Sequence, residues 1–586
     1  MKHCQIKIFI ASFFISWNTF GQIIPANRVT DWSHAGSAPK FVTTNIIDIT
    51  KYGADTTGIL PSDNALRQAI AALQGQGEIR FLPGNYLFNQ TIELPDSTIM
   101  SGAKDINGKL VTKLKLAINE NHGFKINGGE FKSKVAILEP LVQGQTVIKI
   151  SEQIFKKGDY IRLYAYDDST LVFSSWAIHN TGQIVEITKT RGNAIYLNQP
   201  LRRSYAANRT PVIYKLIPRK HIHLQSLILE TKNKSSWHAS TIDINCAVDC
   251  SVSDVESFTG NYAHVAISYS DNITIENNYF KDAFSYGGGG AGYGVVLQYA
   301  ASDCYIHSNM FEHLRHSILL QAGANGNVVA YNHSILPNWT GTFLPSNSAG
   351  DLVLHGNYSY MNLLEGNVMQ NIVIDNSHGI NGPYNTFFRN RAESYGVVMN
   401  NSPASNSQNF IGNQIVSTKT FMGNYIIQGT DQFQYGNMVK GIVLPAATTE
   451  PDANSLFNYS FSAFYYDKSQ VPPIQNSNWQ EEQPLIEAQY RYEFKDAMNT
   501  ITALQKSDDH LIDKEEFKVF PNPVINDFVI KNYLGTDKHF KVYDAAGILV
   551  LEGGTNVKVD VENLHSGLYF VQIDGNSKQV YKIVKM

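Results

Sequence analysis

The sequence predicts an all-β chain wound as a right-handed parallel β-helix, and three observations carry that prediction. Asparagines recur at one beat, Asn278, Asn309, Asn332, Asn367, Asn390 and Asn413, with three of the five gaps equal to 23 residues. A fixed period of this length marks a stacked repeat, and the gaps of 31 and 35 are the same beat with a loop inserted. Each Asn lies between short apolar runs, as in Tyr305-Ile-His-Ser-Asn309-Met-Phe and Asn409-Phe-Ile-Gly-Asn413. Runs of about five residues separated by polar turns make a coil of strands rather than of helices. An inward Asn can satisfy its own tight turn and the turns above and below, stacked at roughly 4.8 Å.

Bulk properties agree. A chain of 586 residues is too long for one ordinary core and suits a solenoid with appendages. Its 17% charged residues with 31 Tyr, 30 Phe and 43 Gly suit a β-rich extracellular protein. A net charge of −4 gives no electrostatic case for nucleic acid. Residues 1–21 read as a secretory signal: Lys2 and Lys7 precede the apolar run Ile8 to Ile15, and small residues follow near Gly21. That run is too short to span a bilayer, Cys4 is misplaced for a lipid anchor, and no other stretch approaches membrane length. The expected mature protein is soluble, exported and without a transmembrane segment. It keeps Cys246, Cys250 and Cys304. The odd count leaves at least one thiol unpaired, and small buried wall residues are favoured over zinc ligands.

Along the chain, residues 45–445 are assigned to the β-helix. Asn45 to Asp55 is a strand and turn, and Ser62 is expected to cap a helix with Leu66, Ala69, Ile70 and Leu73 on one face. Glu78-Ile-Arg-Phe-Leu-Pro-Gly-Asn-Tyr86 follows. This opening resembles the N-terminal cap of the pectate-lyase-like β-helix superfamily, in which the helix would plug the open end of the coil. Residues 136–217 break the beat with alternating strands near Gly158 and Gly182, read as a small β insertion flanking a groove. Rungs resume near His221. Residues 446–515, with Pro472-Pro473 and a polar run from Asn476 to Gln483, read as a cap and linker. Residues 516–586 restart as a compact β-sandwich, from Phe517-Lys-Val-Phe-Pro-Asn-Pro-Val to Tyr581-Lys-Ile-Val-Lys-Met586. This segment resembles the C-terminal sorting domain of type IX secretion substrates. The resemblance implies the type IX machinery as a partner, with release or attachment at the cell surface.

One strand per coil closes on a polar residue after three apolar ones: Val265-Ala-Ile-Ser268, Val295-Val-Leu-Gln298, Ile318-Leu-Leu-Gln321, Leu352-Val-Leu-His355, Ile372-Val-Ile-Asp375 and Val397-Val-Met-Asn400. Stacking in register places these six polar residues in one column, as a carbohydrate groove would need, although each is also a natural start for a solvated turn. His313, Arg315 and His316 precede the third strand, Tyr358 and Tyr360 follow His355, and His378, Asn381 and Tyr384 lie in a two-glycine turn after Asp375. Arg389 and Arg391 flank Asn390. Two long insertions, Phe284 to Tyr293 and Pro337 to Pro345, border the same place, and Trp339 offers a face to a sugar ring. The glycine run before Tyr293 lacks the helix and Lys-Ser/Thr of a phosphate loop.

The superfamily resemblance implies polysaccharide cleavage, and the residues favour β-elimination on a uronic-acid-containing polysaccharide or oligosaccharide. That chemistry needs the sugar carboxylate neutralised, a base for the adjacent proton and an acid for the leaving oxygen. His316, His355, His378, Arg315, Tyr358 and Tyr384 are the expected catalytic set; Gln298, Gln321, Asp375, Asn381, Arg389 and Trp339 are the expected substrate contacts. No metal ligands are assigned, and calcium is left open without a clear site. The alternatives are a glycoside hydrolase using two of Asp351, Glu365, Asp375 and Glu393, a uronate dehydratase, and a glycan-binding adhesin without catalysis.

Overall fold

The computed structural model describes residues 23–457 apart from 168, 288–289, 339–349 and 401, then 474–476, 479 and 486–493, and residues 517–585 with short gaps. The expected signal at 1–21, Trp339 and most of 446–515 lie outside the described residues. Two compact units divide the chain, Met1–Tyr490 and Arg491–Met586.

The first unit is a parallel β-helix. Each coil sends one strand into a back wall and two into the remaining walls, as in Asp271–Glu276, Tyr279–Ala283 and Tyr293–Gln298. The back wall holds strict register over the central coils: Thr274 pairs with Tyr305, Tyr305 with Val328, Val328 with Leu363, Leu363 with Thr386 and Thr386 with Asn409. The wall that carries the polar column does the same through Val265, Val295, Ile318, Leu352, Ile372 and Val397. These apolar residues point inward and join Phe280, Phe311, Phe387 and Phe410 in one continuous core. Apolar surface excluded from water on all three walls supplies the driving force, at about 25 cal/mol per Å².

The predicted asparagines form the corner between the back wall and its neighbour. Asn367 Nδ2 donates to Val329 O at 2.8 Å and to Asn390 Oδ1 at 2.8 Å. Its own Oδ1 accepts from the backbone N and Nδ2 of Asn332. The same pattern runs from Asn278 to Asn437. Every ladder Asn follows a residue with left-handed backbone, including Tyr331 (φ 54), Arg389 (φ 48) and Gly412 (φ 64). A left-handed L-residue costs roughly 1–2 kcal/mol, which the amide network offsets.

Three further features position the site. The helix Asp63–Ala72 buries Ala65, Leu66 and Ala69 against the first coils, with Ile70 only partly covered. Ser62 precedes it but its hydroxyl caps nothing: φ −95 and ψ 6 are not the extended cap geometry. Asp63 instead accepts the N–H groups of Asn89 and Gln90. A six-stranded antiparallel sheet, from Gly129–Ala136 to Val212–Ile217, forms its own core around Ile148, Ile161, Val185, Ile195 and Ile213. It is sewn to the coils by Arg202 on Asp303, by Arg202 on Asn325 at 2.9 Å, and by Tyr360 Oη donating to Gly182 O at 2.9 Å. Residues 23–40 run as a strap along the back wall. Arg28 reaches Asn409 (3.1 Å), Trp32 donates to Met361 O (2.9 Å), and Lys40 reaches Gln225 (3.1 Å). Cys246, Cys250 and Cys304 are free and buried.

In the second unit a three-stranded antiparallel sheet (Phe517–Phe520, Asp527–Asn532, Lys558–Asp560) and a four-stranded one (His539–Tyr543, Leu549–Gly554, Gly567–Ile573, Val580–Lys585) share a core of Phe528, Ile530, Phe540, Val542, Val571 and Ile583.

Asn367→Ala leaves the Asn332 amide groups, Val329 O and Asn390 Oδ1 short of partners in the dry interior. At about 1–3 kcal/mol per orphaned group, denaturant unfolding is expected to show a loss of about 3 kcal/mol or more. The exposed Asn107→Ala is the control, expected to stay within about 0.5 kcal/mol of the parent.

Candidate functional site

The polar column exists as the register demands. Ser268 pairs with Gln298 and Asp375 with Asn400. Leu297 pairs with Leu320, Leu320 with Leu354 and Leu354 with Ile374, so Gln298, Gln321, His355 and Asp375 follow one another up the wall. Hydrogen bonds tie its lower half: Gln321 Nε2 donates to Gln298 Oε1 at 2.8 Å, and Gln298 Nε2 to Ser268 Oγ at 3.2 Å. In the upper half His355 Nδ1 lies 2.6 Å from Asp375 Oδ2. The contact lies off the ring N–H direction and is not a straight hydrogen bond.

Three histidines meet here. The His355 ring centre is 5.8 Å from that of His316 and 4.7 Å from that of His378. His316 opens the strand His316–Leu320 and its Nδ1 donates to Gly350 O at 2.8 Å, which fixes the tautomer with Nε2 as the lone-pair nitrogen. Burial, reinforced by the positive charge of Arg315, holds the His316 imidazole down to about 3, so it is neutral at any working pH. Burial and then His355 also lower His378. For Asp375 burial pulls upward, but the His355 imidazole and the N–H and hydroxyl of Ser377 outweigh it and hold the carboxyl well below the usual range.

The flanks are aromatic. Tyr293, the register partner of His316, stacks its ring 5.1 Å from it and accepts from Arg315 at 3.1 Å. Tyr262 lies 5.4 Å from Tyr293 and donates to Gln298 Oε1 at 3.2 Å. On the opposite side the antiparallel sheet contributes Trp176, 6.1 Å from both Tyr299 and His378, and Ser174 Oγ, 3.4 Å from His378 Nδ1. Sequence reasoning missed these residues. Tyr293 is recoverable from its 23-residue offset to His316; Trp176 and Ser174 carry no periodic signal.

The remaining expected residues divide. Arg315 joins the cluster. Tyr358 stands just past His355 but turns under Arg203, whose guanidinium is 4.5 Å from its ring centre. Asn381 is sealed in the wall, accepting from Gly356 N at 3.0 Å and donating to Asp375 O at 3.1 Å. Tyr384 takes a left-handed corner (φ 61) beneath Arg28, at the head of the back wall. Arg389 is spent on Glu450 (2.7 Å), Ala453 O (3.0 Å) and Ile474 O (2.9 Å). In a solenoid, two residues past the end of a strand the chain has turned onto another face, and these side chains went with it.

The four carboxyl groups weighed for hydrolysis are likewise committed. Asp351 is fully buried and accepts from Gln370 N (2.7 Å) and Asn371 (3.2 Å). Glu365 accepts from Tyr331 Oη and Leu456 N, both at 2.8 Å. Glu393 pairs with Arg391 (3.2 Å), and Asp375 serves His355 and Ser377. Among the described residues no group of three or more His, Cys, Asp or Glu stands at metal-holding geometry. No helix among them is long and apolar enough to cross a membrane.

Residues 518–586 match the secretion system C-terminal sorting domain. That domain marks the chain for type IX secretion, and the protein is secreted or held at the cell surface. No curated protein matches the chain. Among solved structures it is similar to the tailspike protein gp49 from Pseudomonas phage LKA1, at 14% identity over 63% of this chain and 64% of that one, with a TM-score of 0.49. It is also similar to the catalytic unit of a GH87 alpha-1,3-glucanase from Streptomyces thermodiastaticus (13%, 69% and 65%, 0.36) and to PfbA, a surface adhesin of Streptococcus pneumoniae (14%, 68% and 92%, 0.32). The chain thus spans 64% of the length of the first of these. Likenesses at this level say nothing of chemistry.

Burial pushes the Asp351 carboxyl up to about 7. A folded-state value above the unfolded one, about 3.9, means that the stability tied to this proton is complete below about pH 4 and lost as pH rises through 7. Asp351→Asn keeps an acceptor for Gln370 and removes the proton. Stability measured by denaturant between pH 4 and 8 is expected to fall less steeply in the variant, by on the order of 4 kcal/mol across the range. Superimposable profiles would mean that Asp351 is not a sealed acid.

Proposed function

We propose that the protein is a secreted lyase that cleaves a uronic-acid-containing glycan by β-elimination. The observation that carries this reading is the His355–Asp375 contact of 2.6 Å inside the polar column, with His316 and His378 against it. Asp375 is ionised and offsets the charge that His355 acquires when it takes a proton, which suits His355 to the role of base. His378 stands edge-on to His355, 4.7 Å between ring centres, and burial lowers its imidazole, which disfavours a second positive charge there. The amides of Gln298 and Gln321 line the same flank and are suited to face the sugar carboxylate, drawing charge from it as the adjacent carbon loses its proton. Tyr293 remains protonated, chiefly through burial, and is the acid for the leaving oxygen; the Arg315 guanidinium at 3.1 Å steadies the phenolate left behind.

Hydrolysis needs a second carboxyl group across the scissile bond. Asp351, Glu365 and Glu393 are engaged elsewhere, which favours elimination over the hydrolase alternative.

A panel of acidic and neutral polysaccharides, read at once by ultraviolet absorbance of an unsaturated uronate and by reducing ends, tests the reaction class. Both signals are expected to rise together on an acidic glycan. Reducing ends without absorbance would mean hydrolysis, absorbance without chain shortening dehydration, and neither signal a binding protein. His355→Ala is expected to lose about 10²–10⁴-fold in kcat/KM, while Tyr384→Phe, at its distant corner, retains the parent rate. Equal losses in both would place the chemistry elsewhere.

A further inference from the structure

A second site lies inside the antiparallel sheet domain. A cavity of about 180 Å³ opens between its loops, lined by Tyr166, Leu171, Arg203, Tyr205, Ala206 and Arg209 among others. This is smaller than the roughly 300–1,000 Å³ of pockets that hold drug-sized ligands, and it suits a single sugar unit rather than a chain.

Its charge is unbalanced. The guanidinium of Arg203 is wedged between two rings, 4.5 Å from the centre of Tyr358 and 5.2 Å from that of Tyr205. Among the described residues its one hydrogen bond is a long one, Nη1 to Thr181 O at 3.3 Å, and its Nε is buried without any. No carboxylate among the described residues pairs with it. The cavity's own acid, Asp167, is already taken by the His179 N–H and the Thr181 hydroxyl. A half-buried guanidinium short of acceptors costs free energy until an anion with two oxygens supplies them.

The cavity shares a partition with the histidine cluster. Leu171 lines it on one face, while on the other the Leu171 carbonyl lies so close to Gly379 that a Cβ there would sit 2.7 Å away. The next residues follow: Phe173 N–H donates to Asn357 Oδ1 at 3.1 Å and lies 3.3 Å from His378 O.

We propose that this cavity is a binding site for the carboxylate of one acidic sugar, gripped by Arg203 against Tyr358 and Tyr205. The carboxylate chemistry follows from the cavity; the choice of a sugar to carry it rests on the function proposed above. Two sources offer such a group, a free uronate and the terminal unit of a chain.

Calorimetric titration of the full-length protein decides. Glucuronate is expected to bind and glucose not to. Arg203→Gln is expected to weaken glucuronate about tenfold or more, and Ala206→Phe, which fills the cavity from an exposed rim and leaves Arg203 in place, to do the same. His355→Ala is expected to leave this affinity unchanged even where it abolishes turnover, so failure of the lyase reading and failure of this site are separately visible. An acidic oligosaccharide bound more tightly than glucuronate, with the same dependence on Arg203, identifies the chain terminus as the source; equal affinities identify the free sugar. Retained binding in both cavity variants, equal binding of glucose, or no binding of either acidic ligand overturns the proposal.

Discussion

The side-chain amides stacked in the corners are the constraint on which the rest of this molecule depends. A parallel coil gains its core by repetition, but repetition alone leaves register free to slip, and a one-residue slip would turn every inward side chain outward. An amide that must donate to one carbonyl below and one side chain above tolerates no slip. A second file does the same work at the corner entering the back wall, through Asn327, Asn362, Asn385 and Gln408. Between these two files the strand ends are held one above the next. Gln321, His355 and Asp375 owe their adjacency to that stacking and to no direct chain connection.

The column was legible in the sequence because it needs only two facts, a strand period of two and stacking in register. His355 beside Asp375 follows from Leu354 beside Ile374. The second amide file is equally legible: its spacings of 35, 23 and 23 residues repeat the first file's beat five positions earlier. Tyr384, Asn381 and Arg389 were not legible. They sit beyond strand ends, where one left-handed residue redirects everything after it, and nearness in sequence to His378 said nothing of the face they would reach. The aromatic flank was hidden for a different reason: Ser174 meets His378 across 204 residues, from a domain with its own topology.

That domain gives the cleft its asymmetry. The side bearing Tyr262 and Tyr293 belongs to the coils themselves, so its shape is tied to the solenoid. The side bearing Trp176 is borrowed from a sheet with an independent core, attached through Arg202, Tyr360 and the segment from Leu171 to Ser174. A cleft built this way can change what it accepts by changing one wall, without disturbing the register that holds the histidines together.

The strap on the back wall joins coils that are far apart along the chain. Its residues precede every coil in the chain, yet Arg28 is anchored by Asn409, 381 positions later, and by Asp431 beyond that. Coils of a solenoid pack only on their neighbours, so folding spreads from one to the next. Lys40 meets Gln225 in an early coil and Trp32 the carbonyl of Met361 in a middle one, so the strap fastens in stages and only its Arg28 end waits for the last coils. The Arg28 end of the strap thus closes only on a finished solenoid and ties its two extremes together.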